Sequence, residues 1–147
     1  MSTLRKTLTA AAAAALLVAG PALAEGPDKV VTVVSAEHPQ TQLAAMVLST
    51  QALEQGKEVR MLLCGPAGDL GLAEAPESAT APQPPHDASP QGMMQAMMER
   101  GVQVQVCAIY LPGLGADASV LLEGVTVAQP PEMAGAMLGG NTVVWSF

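Results

Sequence analysis

Aromatic side chains are nearly missing from this chain. Tyr110, Trp145 and Phe147 are the only three in 147 residues. Any core must therefore be built from Val, Leu, Ala and Met, which is enough for a small α/β domain. Basic residues are also scarce, with six Lys and Arg against 13 Asp and Glu. Two of the six, Arg5 and Lys6, sit at the very start. From Glu25 onward only Lys29, Lys57, Arg60 and Arg100 face all 13 acids, a formal charge of −9. No basic patch exists that could track phosphates, so nucleic acid is excluded as a partner class, and the acidity serves solubility. There are two cysteines and no C-x-x-C pair, which excludes the usual zinc modules. No phosphate loop, nucleophile elbow or metalloprotease helix occurs, and no carboxylates pair at helical spacing. No cofactor is expected on these grounds.

The chain also lacks an apolar run long enough to span a bilayer comfortably. What it has instead is a leader pattern. Arg5 and Lys6 precede the alanine-rich stretch Leu8 to Ala19, and Pro21-Ala22-Leu23-Ala24 ends in a small-x-small cleavage signature. Residues 1–24 are expected to be a signal peptide and 25–147 one domain in a periplasmic or otherwise exported protein, with no membrane attachment after cleavage. Export would place both cysteines in an oxidising compartment.

Along the chain, strand and helix patterns alternate. Lys29 to Ser35 is almost continuous β-branched sequence, the mark of a strand buried on both faces. A helix follows from Pro39 or Gln40 to about Gln55, with Leu43, Met46, Val47 and Leu53 at helical spacing. Glu58 to Cys64 reads as a second strand. Residues 65–90 hold six prolines and read as a long Pro-rich loop. Pro90 to Arg100 suggests a short helix, Pro112 to Gly115 a turn, and Asp117 to Glu123 another helix. Val125 to Ala128 is a brief extended piece, Pro131 to Leu138 a helix and Thr142 to Ser146 the last strand. This alternation predicts a three-layer α/β/α domain with a mostly parallel sheet of about five strands.

The most informative stretch is Gly101 to Tyr110. Val102, Val104 and Val106 alternate with Gln103, Gln105 and Cys107, so the valines share one face of a strand and Cys107 the other. Cys107 falls at the strand's carboxyl end, the edge where parallel α/β sheets bind ligands. It can be a reactive thiol or an inert buried one. Cys64 ends its own strand and is either a core cysteine or a resolving or disulfide partner for Cys107. His38 lies in the loop after the first strand, where it could orient or deprotonate a thiol or simply be solvated. Tyr110 is a weaker candidate beside Cys107. Met93, Met94, Met97 and Met98 form two i, i+4 pairs. They suit a core or an oligomer interface, or else, with Cys107 and a histidine, a soft Cu(I) site.

Several of these residues together carry a resemblance. The strand Val30 to Val34, the run Val59 to Asp69 through Cys64-Gly65-Pro66, the run Gly101 to Cys107, and Leu122-Glu123-Gly124-Val125 resemble the DsrE/DsrF-like family in an exported form. The Gly101 to Cys107 run is the most specific part, because the family presents its thiol at the end of such a strand. The resemblance implies a sulfur carrier-like protein, sulfurtransferase-like if it turns over. Cys107 would bear the persulfide, a trimer or hexamer would be the assembly, and the sulfur donor and acceptor are not specified. The alternatives from other classes are a Cu(I) or small-ligand binding module and a structural oligomer with inert cysteines.

Overall fold

The computed structural model describes residues 26–147; the expected signal peptide lies outside the described residues. Five strands form one sheet: β1 (Lys29–Val34), β2 (Glu58–Leu63), β3 (Gln103–Val106), β4 (Thr126–Val127) and β5 (Thr142–Ser146). Their order is β4-β3-β2-β1-β5, and every neighbouring pair is parallel. Five helices connect them: α1 (Pro39–Glu54), α2 (Glu77–Thr80), α3 (Pro90–Glu99), α4 (Tyr110–Leu114) and α5 (Pro130–Met137). Parallel strands need crossovers, and the β-branched runs separated by helical stretches supply them. The predicted α/β class and parallel sheet are what the chain forms.

The two faces of the sheet are covered unequally. One face carries the main core, in which Val34, Met46, Met61, Leu63, Leu70, Met94 and Val104 are fully buried beneath α1 and α3. Each such side chain contributes about 1.5–3 kcal/mol by leaving water. The second face has a small cluster of Val31, Leu62, Ala128 and Met133, under the eight-residue helix α5. Alternation along β3 separates the faces as the sequence predicts, with Val104 and Val106 in the main core and Cys107 in the smaller cluster.

Helix α1 departs from its predicted stripe. Its buried side is Gln42, Ala45, Met46, Ser49 and Ala52, while Val47 and Leu48 are exposed. Small residues let the helix lie close to β1, where the Thr32 and Ser49 hydroxyls hydrogen-bond at 2.8 Å inside the core. An apolar count could not reveal a contact surface made of alanines and a paired serine.

The Pro-rich segment is built from short ordered pieces. Gly65–Gly71 is a 3-10 helix with Ala67 and Leu70 fully buried, α2 follows, and Leu72 bridges to Leu121. That bridge also explains why no helix runs from Asp117 to Glu123. Asp117 caps only the 3-10 turn Ala118–Val120, accepting from the Ser119 amide at 2.8 Å, and Leu121 is then drawn out to meet Leu72. The stretch around Pro112-Gly113, predicted as a turn, is the single helical turn α4.

Candidate functional site at the carboxyl edge of β2 and β3

Strands β2 and β3 lie side by side, with Leu63 opposite Val106. The next residue on each is a cysteine. The Cys64 amide donates to the Val34 carbonyl and the Cys107 amide to the Leu63 carbonyl, both at 2.8 Å. The ladder thus continues one step beyond the strands and sets the two α-carbons 5.1 Å apart, well within disulfide range. Cys64 and Cys107 are bonded to each other, and neither is free. Both are half-buried. Of the two readings open for Cys64, the paired one is what the structure contains. The sheet reverses its strand order between β1 and β5, so the pair stands on the carboxyl edge but one strand away from that switch point.

Cys107 opens into a groove of about 250 Å³ beneath α5. Leu62, Ala128, Pro130, Met133 and Met137 form most of its walls, and Cys64 is not among them. The walls are uncharged, so no cation sits there to stabilise a thiolate. The amino end of α5 abuts the groove, but Pro130 and Pro131 are its first two residues. Two of the four amide donors that a helix terminus normally offers are therefore missing.

A polar network, which sequence reasoning did not find, holds α5 in place. Arg60 points from β2 to the same face as Cys64. Its Nε and one terminal nitrogen donate to Gln105 Oε1 at 3.1 and 2.8 Å, and that terminal nitrogen also meets Glu132 Oε1 at 2.5 Å. Gln105 in turn donates to Thr126 Oγ1 at 3.3 Å. Gln105, expected on a polar strand face, is buried because it serves this network. The visible signal was Arg60 itself, a charge alternating with Val59 and Met61 in an apolar strand. Its partner could not be seen, since Glu132 is 72 residues away in sequence.

The remaining sequence candidates do different work. Tyr110 donates its hydroxyl to Asp69 Oδ1 at 2.6 Å. Burial first, and then the hydrogen bond to Asp69 and its negative charge, hold the phenol well above its ordinary value of 10.0. Its ring lies against Gly68, where a Cβ would run into the ring carbons, so only glycine fits beneath it. His38 is exposed and caps α1, its Nδ1 accepting from the Gln40 amide at 3.2 Å. Met94 and Met97 are fully buried in the main core, with Met93 and Met98 packed partly buried beside them. Cys107 lies on the opposite face of the sheet, so the methionines and Cys107 do not converge on one site. Among the described residues no group of three or more His, Cys, Asp or Glu side chains converges on a metal position.

Fold and site define a class: a parallel α/β domain with a cysteine pair closing the carboxyl edge of two adjacent strands. The sequence pattern of the DsrE/DsrF-like family matches residues 28–145, and the chain belongs to that family. Membership brings a role related to sulfur relay. Among solved structures, the chain is similar to the ychN protein from E. coli, with 20% identity and a TM-score of 0.65 over 82% of this chain and 99% of that one. It is also similar to MTH1491 from Methanobacterium thermoautotrophicum, described as a protein of unknown function. That match has 15% identity and a TM-score of 0.57 over 79% of this chain and 97% of the other. These likenesses show the fold. No curated protein sequence matches the chain.

Proposed function

We propose that this is an exported sulfur-handling protein, a persulfide carrier in which Cys107 bears the sulfur. The supporting observation is the asymmetry of the pair: Cys107 lines the apolar groove under α5, and Cys64 stands beside it at the end of β2, outside that lining. A sulfane sulfur on Cys107 would lie against Leu62, Met133 and Met137, away from bulk solvent and oxidants. The site becomes active only on reduction, because the disulfide occupies both thiols. The test is to reduce the folded protein, add inorganic polysulfide and map the adduct by mass spectrometry. Cys107 should gain one sulfur, read most clearly in the Cys64→Ser variant where the second thiol cannot displace it, and the Cys107→Ser variant should gain none at that peptide. An adduct that forms only after unfolding removes the carrier reading.

Export and assembly belong to the same proposal. The leader pattern supports cleavage after Ala24, and amino-terminal sequencing of the exported protein should begin at Glu25. Light scattering should give a trimer or hexamer mass, the assembly implied by family resemblance.

A second reading is favoured by the bond itself. A disulfide closing 43 residues of chain restricts the unfolded state strongly, which is what a structural staple does. A staple would resist a mild dithiol in the folded protein, whereas a working thiol pair would open readily.

A further inference from the structure

The carrier reading leaves Cys64 without a task, and its position supplies one. We propose that Cys64 is a resolving thiol that discharges the sulfur on Cys107 as hydrosulfide, so that the disulfide is the end point of a sulfide-releasing half-reaction. This inference rests on the carrier reading and goes beyond it, because a carrier alone would pass its sulfane sulfur on intact.

The geometry favours this step. Both cysteine amides are tied into the strand ladder, with α-carbons 5.1 Å apart, so the backbone needs no rearrangement for the two sulfurs to bond. Cys107 faces the groove through which a donor would arrive. Cys64, on the neighbouring strand, packs against the same small cluster as Cys107 without lining the groove, within bonding reach of the inner sulfur. The groove walls are uncharged and mostly apolar, which favours the protonated persulfide, whose outer sulfur can leave as HS⁻.

The chemistry balances in three steps. The Cys107 thiolate attacks the terminal sulfur of a hydropersulfide, RSSH. A bond forms between Cys107 Sγ and that sulfur, and RS⁻ leaves. The Cys64 thiolate then attacks Cys107 Sγ. The Cys64–Cys107 bond forms, the bond to the outer sulfur breaks, and HS⁻ leaves with the electron pair. The sulfane sulfur has been reduced and the two cysteines oxidised. An external dithiol restores both thiols and becomes a disulfide itself. In net terms one hydropersulfide and one dithiol give a thiol, hydrogen sulfide and an oxidised dithiol. The substrate class is a small organic hydropersulfide, and the partner class is a dithiol reductant.

The experiment uses the chain from Glu25, reduced, freed of reductant and loaded without oxygen with cysteine hydropersulfide. Unbound reagent is removed at once. Sulfide, free thiols and intact mass are then followed over time. The parent protein should release sulfide in step with the loss of both thiols, at least about tenfold faster than Cys64→Ser. Cys64→Ser should retain its extra sulfur on Cys107, and Cys64→Ala serves if the serine variant does not fold. A parent protein that keeps its persulfide as long as Cys64→Ser overturns resolution and leaves the carrier standing. Absence of sulfur on Cys107 in both Cys64 variants removes the carrier reading and this one with it. Sulfur found first on Cys64 reverses the roles and also overturns the proposal.

Discussion

Tyr110 and Asp69 join the two chain segments that leave the cysteines. Tyr110 opens α4 just after Cys107, and Asp69 lies in the 3-10 helix just after Cys64; their hydrogen bond of 2.6 Å spans 41 residues. It runs parallel to the disulfide, as a second and non-covalent tie between the same two strand ends. Replacing Tyr110 by Phe removes that tie and should cost about 1 kcal/mol in urea unfolding of the oxidised protein.

The same hydrogen bond predicts a response to alkali. The phenol is held above its ordinary value in the folded protein, by burial first and then by Asp69. A raised value means that the stabilisation is complete below the unfolded value of about 10 and is lost as pH rises beyond it. Stability should therefore fall above about pH 10, and Tyr110→Phe should lose this component of the fall. Tyr110 is the only tyrosine, so tyrosinate absorbance reads this one group and should rise well above pH 10 while the protein stays folded.

Gly68→Ala tests the close approach beneath the ring. The added methyl would overlap the Tyr110 ring carbons, so the ring must move. A loss of about 1–3 kcal/mol is expected. The tyrosinate transition should move back toward its ordinary position, which a purely local backbone effect would not produce.

The network under α5 should respond unequally to its two ends. Glu132→Gln weakens an ion pair whose acid is more than half exposed, and should cost no more than about 1 kcal/mol. Arg60→Ala leaves the buried Gln105 carbonyl oxygen without its donor and should cost about 1–3 kcal/mol. Denaturant midpoints of the two variants, compared with the parent, give the ranking. Equal losses would mean that the network acts only through surface charge.

Loss of the disulfide should be felt in stability as well as chemistry. Closing 43 residues of chain corresponds to about 4 kcal/mol in the loop-entropy account, with measured cases commonly at 2–4. The Cys64→Ser, Cys107→Ser double variant should therefore unfold at clearly lower urea. Combined with Tyr110→Phe the losses should exceed their sum, since either tie limits the freedom that the other would release.

The sequence was most readable where period and residue type agreed. The β-branched run of β1, the run Glu58 to Cys64 of β2 and the valine and glutamine alternation of β3 after Gly101 placed three strands, and with them both cysteines. Gly101 has a φ of +92°, which is why a glycine stands there. Reading failed where distant partners decide local structure. Leu121 is extended because Leu72 pairs with it, Gln105 is buried because Arg60 needs an acceptor, and Val47 is exposed because Ala45 and Ser49 make the closer contact. At the site, the strand ends were visible and the pairing of the cysteines was left open. His38 and Tyr110 follow β1 and β3 on the carboxyl edge, but their polar atoms are engaged by a helix cap and by Asp69.

The strand ladder on both sides of the cysteines has a further consequence. Because the Cys64 and Cys107 amides remain bound to Val34 and Leu63, cutting the sulfur bond frees the side chains without freeing the backbones. The two thiols of the reduced protein then face each other at an effective concentration far above that of any small thiol in solution. When an outside disulfide forms a mixed disulfide with one cysteine, the neighbouring thiolate attacks it and expels the outside thiol, so such adducts are short-lived. The chain therefore has two durable covalent forms, the dithiol and the disulfide, with no long-lived adduct between them.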